Sequence, residues 1–260
     1  MTVFWHEMKR GRKALIVWTA AIAALLAISV LLYPQMKSQM EGMNEMFADM
    51  GAFTAAFGMD KLNFGEFPGY FAVECGNVLG LGGAMFAAVL GIAMLGKEQK
   101  ENTADFLLTH PIKRSRVVLE KLLAVYAQIL ILNIIVAAVA FLAALAVGEK
   151  LETRLFLILF LAYFLMQIEI ASICFGISAF LKGSGFGIGI GIALLLYFLN
   201  IIANITKEAE FLKFITPFAY ADGASIVTNF ELELKYLASG MAMAAAGVAA
   251  AFWKYTRKDV

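Results

Sequence analysis

Long runs of apolar residues, broken by short charged stretches, dominate the chain. Six of them cover 14–33, 70–95, 122–147, 155–181, 186–206 and 236–253, each 18 to 27 residues long. A bilayer core of about 30 Å asks for roughly 20 apolar residues in a helix, so every run is long enough to cross. The runs are continuous rather than alternating, which selects helices over a barrel; only these two structures satisfy their backbone in lipid. Pro34, Pro68, Pro111 and Pro217 all fall between the runs. The pattern predicts an all-α integral membrane protein, one six-span domain over 1–260. Lys9, Arg10, Arg12 and Lys13 precede the first run as the charged region of a signal peptide would. Its 20 apolar residues exceed the roughly 7–15 of a signal core, and Leu31-Leu32-Tyr33-Pro34 is no small-residue cleavage site. It reads as a retained span.

Composition agrees. Apolar and aromatic residues make up 62% of the 260, and charged residues only 16%, against roughly 25% charged in soluble domains. A soluble enzyme, a disordered chain and a disulfide scaffold are excluded. A net charge of +1 argues against a nucleic-acid partner. The charges are also unevenly placed. With six spans both termini share a side, and that side carries 14 Lys and Arg against 7 on the other. The positive-inside rule puts it in the cytoplasm. Cys75 and Cys174 both fall inside spans and are expected as free thiols.

The cytoplasmic loop GKEQKENTADFLLTHPIKRSRVVLEK, 96–121, carries the most information. Asn102 or Thr103 can cap a short helix with Asp105 in its first turn. Phe106, Leu107 and Leu108 follow, Pro111 stops the helix, and the cluster Lys113, Arg114, Arg116 ends it. Two readings stand side by side: a docking helix seeking a groove on a partner, or an interfacial helix resting Phe106 and Leu107 in the bilayer surface.

This segment resembles the coupling-helix region of type-2 ATP-binding-cassette (ABC) permeases, the membrane subunits of many bacterial exporters. The resemblance rests on Gly96, Lys97, Glu98, Thr103, Phe106-Leu107-Leu108, Pro111, Arg114 and Lys121, with Asn102 where the family often has Gly. Phe4, Glu7 and Lys9 resemble its amphipathic N-terminal helix. Residues 214–220, FITPFAY, resemble its outer segment before the last span, and Arg257-Lys258-Asp259-Val260 its basic-acidic ending. The resemblance implies a bacterial cytoplasmic membrane and two six-span subunits, identical or homologous, forming the pathway of an exporter. It also implies separate ATPase subunits that hold ATP and Mg. This chain has no G-x-x-x-x-G-K-[ST] loop, so no catalytic residue and no cofactor is expected on it. Glu98, Thr103, Asp105, Phe106, Leu107 and Leu108 are the expected contacts to the ATPase. Gly183, Gly185 and Gly187 imitate a dinucleotide turn but lack a preceding strand.

Two carboxylates lie within runs. Glu74 is near the outer end of the second; Glu169 is deeper in the fourth, beside Gln167 and Ser172. Buried acids in spans often mark a pathway, so both are candidate pathway residues, and a protonated or hydrogen-bonded packing role is the competing reading of Glu169. They also carry the alternative function, a proton- or ion-coupled secondary transporter or channel. Gln128, Asn133, Asn200 and Asn204 read as interhelical hydrogen bonds. Outside, Met36, Met40, Met43, Phe47, Met50, Thr54 and Phe57 form one helical stripe, read as an amphipathic surface helix with a soft-metal site as the alternative; no metal ligand is assigned. Residues 211–221 are apolar but too short to span. They predict a re-entrant or interfacial outer hairpin with Pro217, Phe218 and Tyr220 at its centre and Asp222 capping a second short helix. Gly76, Gly80, Ala84 and Ala88, then Gly83, Ala87 and Gly91, form small-residue ridges for packing, dimerisation or a hinge.

Overall fold

A computed structural model describes residues 2–40, 51, 54, 62, 65–96, 113–150 and 152–257. Among these, every regular element is helical. The long helices are α1 (Thr2–Met40), α2 (Phe67–Ala93), α3 (Arg114–Ala146), α4 (Thr153–Ser178) and α5 (Phe186–Ile205). A 3-10 turn (Lys207–Phe214) and the short α6 (Gly223–Asn229) lead to α7 (Leu234–Thr256). Six helices are long and apolar enough to cross a membrane, and each contains or closely overlaps one predicted span.

The amphipathic N-terminal segment and the first span form one continuous helix of 39 residues. At 1.5 Å per residue it is about 58 Å long, so it projects beyond a 30 Å core. Pro34 lies inside it, not between elements as the run pattern suggested. The turn it weakens is braced from α2: the Tyr70 hydroxyl donates to the Ser29 carbonyl at 2.8 Å, and the Tyr33 ring packs on Phe67 and Tyr70. Pro68 sits in the first turn of α2, where its missing N–H costs nothing. Of the methionine stripe, Met36 and Met40 continue α1, while Met43, Phe47, Met50 and Phe57 lie outside the described residues.

The helix α4 occupies the centre, packed on α2, α3 and α7, with α1 against α3 and α5 against α2. Small residues set these crossings. A Cβ at Gly176 of α4 would fall 2.5 Å from the Gly247 carbonyl of α7, and one at Gly247 would fall 2.7 Å from the Ser172 carbonyl. Gly189 of α5 meets the Ala88 carbonyl of α2. Both ridges of α2 thus pack within the subunit: Gly76 and Gly80 face Tyr163, Gly83 faces Gln167 and Gly91 faces Ala171. Gly187 and Gly191 meet nothing within 4 Å. Gly247→Ala is therefore expected to lower stability by about 1–3 kcal/mol through overpacking. Gly191→Ala is expected to raise it by up to about 1 kcal/mol through helix propensity. Thermal unfolding of the purified protein checks both.

The ends of the bundle are marked by polar ties. At one, Lys121 meets Glu7 and the Met94 carbonyl. At the other, Lys37 pairs with Glu149 at 3.2 Å, and the Tyr33 hydroxyl donates to the Gly65 carbonyl. Between them Ile16, Val17, Leu25, Ile134, Leu142 and Phe198 project outward, each more than half exposed, as lipid-facing residues do. Cys75 and Cys174 are buried free thiols.

Candidate functional site

Three polar side chains on one stretch of α4 reach three neighbours. Gln167 accepts from Asn133 Nδ2 of α3 at 2.7 Å and occupies the notch left by Gly83 of α2. The Ser172 hydroxyl lies 2.7 Å from the Tyr126 hydroxyl of α3. Glu169, fully buried between them, accepts a 2.9 Å hydrogen bond from the Tyr220 hydroxyl. Gly240 of α7 faces the same carboxylate, and any side chain there would overlap both of its oxygens. Glu169 Oε1 has no hydrogen-bond partner among the described residues. A carboxylate so placed would leave charge unmatched in a low-dielectric interior.

The partner residue comes from the segment between α5 and α6. Thr216 donates to the Leu196 carbonyl, midway along α5, at 2.8 Å, and the Phe218 ring packs edge-on against Tyr197. Residues 216–221 are all buried. The segment after α5 thus doubles back beside its middle before Asp222 caps α6 by accepting from the Ser225 amide at 3.1 Å. At its start the Thr206 hydroxyl donates to Glu208, which holds that carboxyl below the usual range. The structure brings together two groups that sequence reasoning named separately: Glu169, and the hairpin residues Pro217, Phe218 and Tyr220. Glu74 is not part of this cluster. It is half-buried on α2 beside Tyr70 and Cys75.

The other conjunction is at the opposite end of α3. Glu120 accepts from the backbone amides of Val3 and Phe4, at 3.0 and 3.2 Å, capping the start of α1. Arg116 pairs with Glu120 at 2.9 Å. Lys121, fully buried, donates to the Met94 carbonyl at 2.8 Å and lies 3.4 Å from Glu7. The last turn of α2 and the first turns of α3 are thereby tied to α1. These are the two stems of the loop carrying Glu98, Thr103, Asp105, Phe106, Leu107 and Leu108, which lie outside the described residues. Glu7 and Lys121 were noted as separate marks of resemblance; the structure makes them partners. Glu120 was missed, because an acid next to Lys121 and one helical turn from Arg116 looks like a solvated face.

A third feature was also missed. Residues Gly76–Leu81 of α2 form a π-helical turn, a local widening frequent at functional sites. It turns Asn77 into a cleft between α2, α4, α5 and residues 218–224. Asn200, expected to bond a neighbouring helix, lines this cleft instead, and its buried Oδ1 has no partner among the described residues.

Comparison with known proteins gives one finding. A family model described as "ABC-2 family transporter protein" matches residues 1–260. No curated protein matches the chain.

Proposed function

The chain belongs to the ABC-2 family of transporter proteins, membrane subunits of ABC transporters, and on that premise we propose that it forms half of an export pathway driven by a separate ATPase. The loop 97–111 is the docking element in this reading. Glu98, Thr103 and Asp105 give its polar contacts, and Phe106, Leu107 and Leu108 its apolar knobs. A second permease subunit, identical or homologous, completes the pathway in the bacterial cytoplasmic membrane, with both termini in the cytoplasm. ATP and Mg belong to the ATPase.

The observation that carries this reading is the footing of the loop. A segment that transmits force needs stems that do not yield, and here both stems are held by buried charge on α1. A push on 97–111 would be delivered to α1, α2 and α3 together. The outer segment 207–222 answers it at the far side of the bundle, where Tyr220 on Glu169 links it to the central helix. In the same reading this segment is a re-entrant gate.

Replacing Phe106 and Leu107 by Asp is expected to abolish co-purification with an ABC ATPase subunit and to remove ATP-dependent uptake into inverted vesicles. Survival of both complex and uptake would refute the coupling role. The secondary-transport alternative rests on Glu74 and Glu169, which the structure does not join. Uptake that needs ATP and ignores a proton uncoupler separates the two.

A further inference from the structure

The outward face of α1 runs past the lipid belt with its charge unbalanced. Ile16 and Val17 are the first exposed large apolar residues of the helix after Trp5. Within the two turns before them, Lys9, Arg12 and Lys13 are all exposed. Their spacing of i, i+3 and i+4 puts them on one helix face, and Ile16 falls on the same face, three residues after Lys13 and four after Arg12. The acids of this end point the other way. Glu7, the only acid in 2–16, is buried against Lys121. Glu120 is spent on Arg116 and on the Val3 and Phe4 amides. Among the described residues, none of Lys9, Arg12 and Lys13 meets a carboxylate.

Depth decides what these cations meet. At 1.5 Å per residue, Lys13 and Arg12 lie about 4.5 and 6 Å before Ile16 along the axis, and Lys9 about 10 Å. The headgroup layer of one leaflet is about 6 Å thick. Side chains tilt toward the N-terminus of a helix, and long basic ones carry their charge away from the apolar core. Arg12 and Lys13 therefore place their charges at the level of lipid phosphates, and Lys9 at the outer edge of that layer. A phospholipid can set its phosphate on these groups and its chains on Ile16 and Val17 at once, whereas a free anion reaches only the charges.

We propose that this face binds one anionic phospholipid, its phosphodiester held by Arg12 and Lys13, Lys9 facing the rest of the head, and its chains lying along Ile16 and Val17. A zwitterionic head brings its own cation to the same place and loses most of the attraction. The inference rests on the membrane-spanning fold and needs no ATPase.

The test is native mass spectrometry of the full chain in neutral detergent, titrated with phosphatidylglycerol or with phosphatidylcholine of the same chains. One phosphatidylglycerol is expected to bind first, at least about fivefold tighter than phosphatidylcholine and more weakly as salt rises. Excess glycerol phosphate, a head without chains, is expected not to displace it. Each basic residue near an anionic lipid contributes about fivefold in affinity, so Arg12→Gln with Lys13→Gln is expected to weaken this step at least about tenfold. Lys182→Gln with Arg257→Gln removes the same charge at exposed positions after α4 and α7, and is expected to leave the step within about twofold, because screening confines each charge to its own neighbourhood. The proposal is overturned by equal affinity for the two lipids, by binding that ignores salt, by displacement with glycerol phosphate, by unchanged affinity in the Arg12 and Lys13 variant, or by an equal loss in the Lys182 and Arg257 variant.

Discussion

Lys121→Met is expected to destabilise the protein by about 3–5 kcal/mol, the cost of removing one partner of a buried ion pair. Lys121 is completely buried and Glu7 nearly so, so the carboxylate left behind has no route to water without moving the start of α1. The Met94 carbonyl loses a donor as well, adding about 1 kcal/mol. Pairing the change with Glu7→Leu is expected to recover most of the loss, because an apolar replacement of a whole buried pair is often neutral or better. Thermal unfolding in detergent measures both. The functional readout parts from stability. If the tie transmits motion from 97–111 to α1, the doubly substituted protein folds but loses ATP-dependent transport. Full transport by that variant would reduce the pair to packing.

The spans were legible because lipid imposes a length and a continuity that no other environment demands. Element ends were less so. Residues 2–13 mix charged with apolar side chains, and nothing in a hydropathy pattern says whether such a segment breaks from the span or runs on into it. The structure joins them, since Glu120 caps the first turn of α1 from α3, a contact 117 residues away in sequence. Asn200 misled for the opposite reason. Most polar residues in membrane helices bond a neighbour, and composition cannot show that this one faces a cleft. The π-helical turn had no pattern to reveal it, beyond glycines at 76, 80, 82 and 83 that also suit close packing. Glu169 and Tyr220 were both singled out, one as a buried acid and one as part of a non-spanning apolar stretch. Their contact was invisible because it depends on how deeply residues 216–221 enter the bundle. One signal for it was present: Gly240 and Gly247 stand seven apart on α7, on one face of that helix, and Gly240 is the residue that makes room for Glu169.

That room gives the sharpest separation between a working acid and a tolerated one. Gly240→Ala is expected to push the Glu169 carboxyl off the Tyr220 hydroxyl. Overpacking costs about 1–3 kcal/mol, and a buried hydroxyl left without its acceptor about 1–3 more. Transport is expected to fall with stability in this variant, which alone decides nothing. Adding Glu169→Ala removes the group that clashes, and stability is expected to return by more than half. If Glu169 and Tyr220 together hold the segment 216–221 against α4 as a gate, the double variant is stable but transports poorly, as does Tyr220→Phe, which keeps the ring and removes only the hydroxyl. Glu169→Gln completes the set. An amide oxygen still accepts from Tyr220, so a gate that needs only this hydrogen bond keeps working, while one that needs the acid's proton stops. Normal transport by both the double variant and Tyr220→Phe would show that Glu169 is a packing residue and that the gate lies elsewhere.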